Sequence, residues 1–182
     1  MSRQTNRPIA LGALAGAKAN VGVQEVGDNG GPAVTAYLAS CVPSLGPGAP
    51  WCAAFVRFRM KKTATELGIT YDKTFPRSAY TPDWHRWARS NNKWLGRPFD
   101  EEKRALMRPG DLALFYFPTL GRIGHIGIID QVFSWGVVTI EGNTSPEPED
   151  EDEVERDGDG VYRKRRMWSE LGQYGGILMV DF

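Results

Sequence analysis

The hydrophobic pattern of this chain changes near residue 110, and that change limits the folds available to it. Before this point apolar residues recur at helical spacing, most clearly over residues 51–67, where no helix breaker occurs before Gly68. After it, short runs rich in Ile, Val and aromatic residues are separated by Gly, Pro or Ser. Helices followed by strands are typical of an α+β domain rather than of an alternating α/β domain.

The same patterns predict the individual elements. Helices are predicted over residues 9–23, over a short segment after Pro32, and over residues 51–67. Strands are predicted over residues 112–117, 123–133, 135–140, 161–167 and 177–182. We therefore expect N-terminal helices packed on a C-terminal antiparallel sheet of about five or six strands.

The length of 182 residues fits a single domain, which we expect to span residues 1–182. Three parts of it stand out: a helical extension over residues 1–21, a Trp-rich insertion over residues 71–100, and an acidic loop over residues 144–160. We interpret the insertion as an irregular surface excursion in which Trp84, Trp87 and Trp94 share a short helix. No stretch has the roughly 18 uninterrupted apolar residues of a membrane span.

The chain has no net charge, with 22 basic and 22 acidic residues, but the charges are unevenly distributed. Residues 147–157 contain eight acids and one base, which leaves 21 basic and 14 acidic residues elsewhere. This cationic remainder could attract anionic polymers such as cell-wall glycans, teichoic acids or nucleic acid; the alternative is that the acidic stretch is a solvated loop that keeps the protein in solution. The basic run at residues 163–166 could bind such a polymer or pair with acids of the same molecule.

The scarcity of histidine and cysteine excludes several chemistries. Two histidines cannot build a His-rich zinc site, and the ten residues between Cys41 and Cys52 rule out a CxxC pair. Neither GxxxxGK[ST] nor GxGxxG occurs, so a phosphate-binding loop has no support. We expect no metal, no organic cofactor, no nucleic acid and no membrane partner.

Cys52 stands at the start of the helix predicted over residues 51–67. The unpaired N–H groups and partial positive charge at a helix start stabilise a thiolate, so this cysteine is a candidate nucleophile. Two other interpretations are open at this point. Cys52 could be a buried apolar residue, or it could form a disulfide with Cys41.

A histidine and a carboxylate are predicted on neighbouring strands. His125 lies between Gly124 and Gly127, and glycines there would let a backbone or a substrate approach the imidazole. A hairpin centred near residue 133 would place Glu141 opposite or nearly opposite His125, and period-two alternation would put Asn143 on the same face as Glu141. Together with Cys52 these residues supply a nucleophile, a base and an orienting group.

The tryptophans are a further candidate feature. Aromatic faces suit sugar rings, so Trp51, next to Cys52, is predicted to bind substrate, while core or lid packing is the alternative.

Four motifs in this order resemble those of the CHAP domain, a papain-like cysteine amidase and peptidase fold related to the NlpC-type hydrolases. The motifs are PWCAAFV at residues 50–56, RPGDL at 108–112, GHIGI at 124–128 and EGNT at 141–144. The resemblance extends from about Gly22 to the C-terminus. It implies that Cys52 is the nucleophile, that His125 is the general base and then acid, that Glu141 orients the imidazole, and that Asn143 is an accessory polar residue.

The resemblance also implies a substrate and a setting. Family members cleave amide bonds in bacterial peptidoglycan, either between muramic acid and L-alanine or within the stem peptide and its cross-bridge. They include phage endolysins, tail-associated enzymes, autolysins and antibacterial effectors. With no signal peptide evident, we expect synthesis in the cytoplasm and delivery to the wall by phage release, virion packaging or a secretion apparatus. A catalytically silent module that binds wall material or a protein, and an amidase acting on a small or protein substrate, are the alternatives.

Overall fold

The computed structural model describes residues 7–71, 75–146 and 158–180 of the chain. Within these ranges lie five α-helices and six β-strands. The helices are α1 (Pro8–Lys18), α2 (Pro32–Ala39), α3 (Cys52–Glu66), α4 (Thr81–Ser90) and α5 (Glu101–Leu106). The strands are β1 (Trp94–Gly96), β2 (Leu112–Phe117), β3 (Arg122–Val132), β4 (Gly136–Thr144), β5 (Gly160–Met167) and β6 (Gly176–Leu178).

The six strands form one antiparallel sheet in the order β1-β6-β2-β3-β4-β5. Strands β2 to β5 are neighbours in both sequence and space, whereas β6 returns to pair with the other edge of β2. The first three helices precede all of these strands along the chain. The predicted α+β fold, with N-terminal helices packed on a C-terminal antiparallel sheet, is confirmed.

Strand β2 is buried on both of its faces, and its side chains alternate between two clusters of the core. Leu112 and Leu114 pack beneath the helices with residues of α1 and α3. Ala113 and Phe115 face a second cluster, which includes Phe99 and other residues on the opposite side of the sheet. A strand that is apolar at every position, as β2 is, is typical of a sheet covered on both faces.

Helix α3 is the centre of the helical layer. It packs against α1 and α2 and also against β3 and β4, and a helix with buried side chains around most of its circumference belongs in a core. Its buried Arg57 donates hydrogen bonds to the carbonyl oxygens of Ser40 at 2.6 Å and Pro76 at 3.1 Å. The guanidinium thereby holds the segments after α2 and before α4 against the same helix.

Close contact between β4 and the start of α3 depends on Gly142. A Cβ atom at this position would lie 2.7 Å from Cζ3 of Trp51 and 2.9 Å from Cβ of Phe55. Real Cβ atoms do not approach other heavy atoms so closely, so any larger residue would push the helix from the strand. Glycine therefore lets the first turn of α3, which carries Cys52, lie directly against the sheet.

Ion pairs at both ends of α1 attach this helix to the sheet. Arg7, just before α1, pairs with Asp111 at the start of β2, and Lys18 pairs with Asp130 of β3 at 2.5 Å. The helix also packs along α3. The helical extension expected over residues 1–21 therefore contributes an integral part of the core.

The segment over residues 71–100 is more regular than expected. Instead of an irregular surface excursion it contains α4 and β1, and Trp84 of α4 is completely buried. Trp94 lies in β1, where it pairs with Leu178 of β6, and so does not share a helix with Trp84 and Trp87. The short helix around Trp84 and Trp87 was thus predicted, but β1 was missed because it forms only by pairing with a strand that is distant in sequence.

The acidic residues of the loop expected over residues 144–160 lie largely at positions 147–157, outside the described residues. Within the described ranges, no helix combines the length and the apolar character that crossing a membrane requires.

We predict that Gly142→Ala lowers the free energy of unfolding by about 1 to 3 kcal/mol, because the added methyl overpacks the contact with Trp51 and Phe55. Urea denaturation measures the difference. Gly46→Ala is the matched control, since a Cβ there meets no atom within 4 Å. Equal losses in the two variants would contradict the close packing of β4 on α3.

Candidate active site

The thiol of Cys52 lies at the first position of α3, directly after Trp51. Cys41 and Cys52 are both free and buried, so the disulfide considered from the sequence is absent. Although its exposed fraction is only 3%, Cys52 borders a cleft in the surface. It is thus a free thiol at a helix start with access to a cleft, as the prediction of a nucleophile requires.

An imidazole and a carboxylate meet beside this thiol. Nε2 of His125 lies 2.9 Å from Oε2 of Glu141, and neither side chain has any exposed surface. The other ring nitrogen, Nδ1, has no hydrogen bond of good geometry among the described residues. The thiol of Cys52 interacts with the imidazole, and Nδ1 is the nitrogen available to it because Nε2 is engaged by Glu141. Such bonds are often loose in a site without substrate.

The register that joins His125 to Glu141 differs from the one expected. Glu141 lies opposite Gly127, two residues beyond His125, because the hairpin is centred between Ser134 and Trp135 rather than at residue 133, with Val132 opposite Val137. The unpaired Asp130, which bulges from β3, moves the pairing back by one residue; without it Glu141 would lie opposite Ile128. The side chain of Glu141 reaches His125 diagonally. A Cβ at Gly127 would lie 2.6 Å from Cγ of Glu141. Gly127 therefore makes room for the carboxylate side chain rather than for a substrate.

Arg166 of β5 clamps the same carboxylate. Its Nε donates to Oε1 of Glu141 at 2.9 Å and its Nη2 donates to Oε2 at 2.7 Å, while Thr139 donates its hydroxyl hydrogen to Oε1. Burial alone would raise the pKa of Glu141, but Arg166, together with His125, holds that pKa well below its usual range. The carboxylate is therefore an anion at neutral pH.

Cys52 and Glu141 both affect the pKa of the His125 imidazole. Burial lowers the pKa of His125, but the hydrogen bonds and charges of Cys52 and Glu141 outweigh it and raise the pKa to about 9. At neutral pH this His125 is protonated beside a thiol. An imidazolium next to a helix-borne sulfur can hold it as a thiolate and later deliver a proton.

Asn143 is completely buried but does not continue the alternation of β4. It is the bulged residue between Gly142 and Thr144 in the pairing with β5, with a positive φ of 59°. Its carbonyl oxygen accepts a hydrogen bond from the backbone N–H of Gly158 at 3.2 Å. The alternation used to place it beside Glu141 is interrupted, so its accessory role stays a prediction.

Trp51 does not offer a surface to a substrate. Its side chain is completely buried, its Nε1 donates to Oε2 of Glu25 at 3.1 Å, and its ring packs 5.6 Å from that of Tyr37. The predicted substrate-binding surface is therefore wrong for Trp51 in this structure, and the core alternative is correct. A large aromatic residue beside the nucleophile anchors the helix start instead of lining a groove.

The cleft next to Cys52 has a volume of about 250 Å³. The residues around it come from the loop before α3, the start of α4 and the start of β3; they include Pro50, Tyr80, Thr81, Arg122 and Gly124. Sequence analysis singled out neither Tyr80 nor Arg122.

Arg166 is a third residue of the site that was not predicted from the sequence. It lies in the basic run at 163–166, where Lys164 and Arg166 are buried and Arg163 and Arg165 are exposed. Period-two alternation in a predicted strand could have identified two inward-facing cations. Arg163, on the exposed side, pairs with Asp130 at 3.0 Å, so part of the run is engaged in pairing within the molecule.

No group of three or more His, Cys, Asp or Glu side chains in the described ranges is arranged to hold a metal ion. The reactive groups that the site brings together are a thiol, an imidazole and a carboxylate.

A helix-borne cysteine packed on an antiparallel sheet, with a histidine and a carboxylate on adjacent strands, is the arrangement of papain-like α+β hydrolases. The sequence model of the CHAP domain matches residues 44–143, more than half of the chain, and the chain belongs to this family. CHAP domains are in general cysteine- or amidase-type hydrolases whose substrate is peptidoglycan. The match includes Cys52, His125 and Glu141, but ends before β5. No curated protein and no solved structure matched the chain.

The two histidines should titrate far apart. Burial and then Arg89 lower the pKa of His85 below its usual 6.5, whereas the pKa of His125 is raised to about 9. We expect NMR titration of the ring resonances to show this separation, with His85→Gln providing the assignment. In Glu141→Gln the pKa of His125 should fall, because the anion that favours the imidazolium is lost, while His85 should not change. A His125 that titrates at or below 6.5 in the wild type would contradict the described site.

We predict that Arg166→Met lowers the free energy of unfolding by about 3 to 5 kcal/mol, because it leaves the buried carboxylate of Glu141 without its cation. Replacing both partners, as in Arg166→Met with Glu141→Leu, should recover most of this loss in urea denaturation. Arg165→Met, at an exposed position of the same strand, is the control and should change stability little. A double variant as unstable as Arg166→Met would show that the buried ion pair is not the source of the effect.

Proposed function

We propose that this protein hydrolyses an amide bond of bacterial peptidoglycan through a covalent intermediate on Cys52. One observation carries the proposal: His125 is hydrogen-bonded through Nε2 to Glu141 and interacts with the thiol of Cys52, which borders an open cleft. Membership of the CHAP family supports the substrate class. The site residues and their roles are our proposal.

In the first step His125 carries the proton of Cys52, and the thiolate attacks the carbonyl carbon of the amide. A C–S bond forms while the carbonyl oxygen gains negative charge. The backbone N–H of Cys52, at the start of α3, is suited to stabilise this oxyanion, because the first N–H groups of a helix have no partner within the helix.

In the second step the C–N bond breaks, and the imidazolium of His125 donates its proton to the leaving amine. Water then enters, His125 removes a proton from it, and the oxygen attacks the thioester carbonyl. The acyl group leaves as a carboxylic acid and Cys52 is regenerated. Glu141, held ionised by Arg166, orients the ring and stabilises its charged form throughout.

Two parts of the proposal are more specific than membership of the family implies. The cleaved bond is either the one between muramic acid and L-alanine or one within the stem peptide and its cross-bridge, and the same site chemistry serves both. We assign Asn143 an accessory polar role because it is a completely buried polar residue two positions from Glu141 in β4. Delivery to the wall by phage release, virion packaging or a secretion apparatus stays a prediction.

The test is mass spectrometry of purified peptidoglycan after incubation with the wild type, with Cys52→Ala and with Cys41→Ala. The second cysteine is a matched control, since it is also free and buried but lies outside α3. We expect new amine and carboxylate termini from the wild type and Cys41→Ala, and a loss of at least about a thousandfold in rate for Cys52→Ala. The masses of the fragments identify the bond.

Iodoacetamide labelling of the intact protein supplies an independent readout. We expect Cys52 to be modified faster than Cys41, because burial raises the pKa of the Cys41 thiol. Peptidoglycan cleavage that persists in Cys52→Ala would overturn the proposed nucleophile. Failure of the wild type to cleave any amide of the wall would overturn the proposed function.

A further inference from the structure

The wall of the cleft carries one cation close to the nucleophile. Arg122 is the first residue of β3, three positions before His125, and it lines the same cleft as Cys52. Apart from Cys52 and Tyr80, it is the only ionisable side chain among the described residues that line this cleft. The cleft is therefore electropositive next to the place where a substrate amide would bind.

The guanidinium of Arg122 is held in place by its neighbours. Its Nη1 donates to the carbonyl oxygen of Ile123 at 3.0 Å, and its Cζ lies 5.0 Å from the centroid of the Tyr80 ring. The same carbonyl accepts a hydrogen bond from the hydroxyl of Thr81 at 2.9 Å. An arginine already stacked on an aromatic face loses little conformational entropy when it binds a ligand.

Most of the donors of Arg122 are available. Among the described residues no carboxylate lies within ion-pair distance of it, and only Nη1 takes part in a hydrogen bond. This sets it apart from Arg7, Arg163 and Arg166, each of which pairs with a carboxylate. Nε and Nη2 remain, and their planar fork matches the two oxygens of a carboxylate.

We propose that Arg122 binds a free carboxylate of the peptidoglycan stem peptide and thereby selects substrates that carry one beside the scissile amide. This inference rests on the proposed function, since it assumes that the cleft binds the stem peptide. Stem peptides contain carboxyl groups that occur either free or as amides, and an arginine distinguishes these two forms by charge. The residue would act as a specificity determinant, separate from the chemistry of Cys52 and His125.

The test uses pairs of synthetic muramoyl and cross-linked stem peptides that differ at one carboxyl group, free in one member and amidated in the other. The values of kcat/KM are compared for the intact protein and for Arg122→Gln. We expect the wild type to prefer the free acid of at least one pair by about tenfold to a hundredfold, the usual range for a hydrogen-bonded charge. Arg122→Gln should lose this preference, because its kcat/KM should fall much further for the free acid than for the amidated member.

Two further variants make the comparison specific. Arg122→Lys keeps the charge but not the fork, so it should retain only part of the preference. Arg86→Gln removes an exposed arginine of α4 that lies outside the cleft lining, and it should leave the preference unchanged. Because the lysine variant keeps the charge at position 122, it still tests the proposal if the glutamine variant folds poorly.

Binding measurements separate this proposal from the proposed function. Isothermal titration of the same peptide pairs into Cys52→Ala, with and without Arg122→Gln, reports carboxylate recognition without any cleavage. A preference for the acid that disappears with Arg122 supports the inference even if the hydrolysis mechanism is wrong. The inference is overturned if the protein does not discriminate between the members of any pair, or if the preference for the acid survives in Arg122→Gln. In either case, cleavage that depends on Cys52 would still support the proposed function.

Discussion

The carboxylate of Glu141, which has no solvent exposure, lies where three strands meet the helix that carries Cys52. Removing an anion from water costs several kcal/mol unless charges and hydrogen bonds replace the solvent. Here Arg166 from β5, Thr139 from β4 and His125 from β3 supply the replacements. The carboxylate stays charged, and its charge, together with the thiol of Cys52, keeps the buried imidazole protonated. The charged state of the carboxylate in turn depends on the ion pair between β4 and β5.

Two glycines on either side of Glu141 give this arrangement its shape. Gly127, opposite it, leaves space for the side chain to cross to His125, and Gly142, next to it, lets Trp51 and Phe55 press against the strand. A methyl group at position 127 would collide with the side chain of Glu141, and one at position 142 would push Trp51 and Phe55 away from β4. The thiol of Cys52 lies close to the sheet because β4 has no side chain at Gly142, where α3 packs against it. The segment around Glu141 and Gly142 therefore determines both the packing and the chemistry of the site.

Much of this was predictable from local patterns. The helix starting at Cys52, the succession of antiparallel strands and the grouping of Cys52, His125 and Glu141 follow from periodicity and from motifs a few residues long. The pairing register was not predictable, because neither the centre of the turn between β3 and β4 nor the bulge at Asp130 is marked in the hydrophobic pattern. Strand β1 and the partner Arg166 were missed for a related reason: each depends on a contact with residues far along the chain. The burial of Trp51 likewise reflects packing by Tyr37 and Glu25 that no local pattern encodes.

The position of Arg166 in the chain has a consequence for the order of assembly. Arg166 follows Glu141 by 25 residues and lies beyond the segment that matches the family. A nascent chain that has emerged only as far as residue 143 holds the thiol, the imidazole and the carboxylate, but not the cation that allows the carboxylate to be buried. During synthesis the site can therefore close only after β5 has been made and has docked on β4, so its last component to arrive is a buried side chain outside the lining of the cleft.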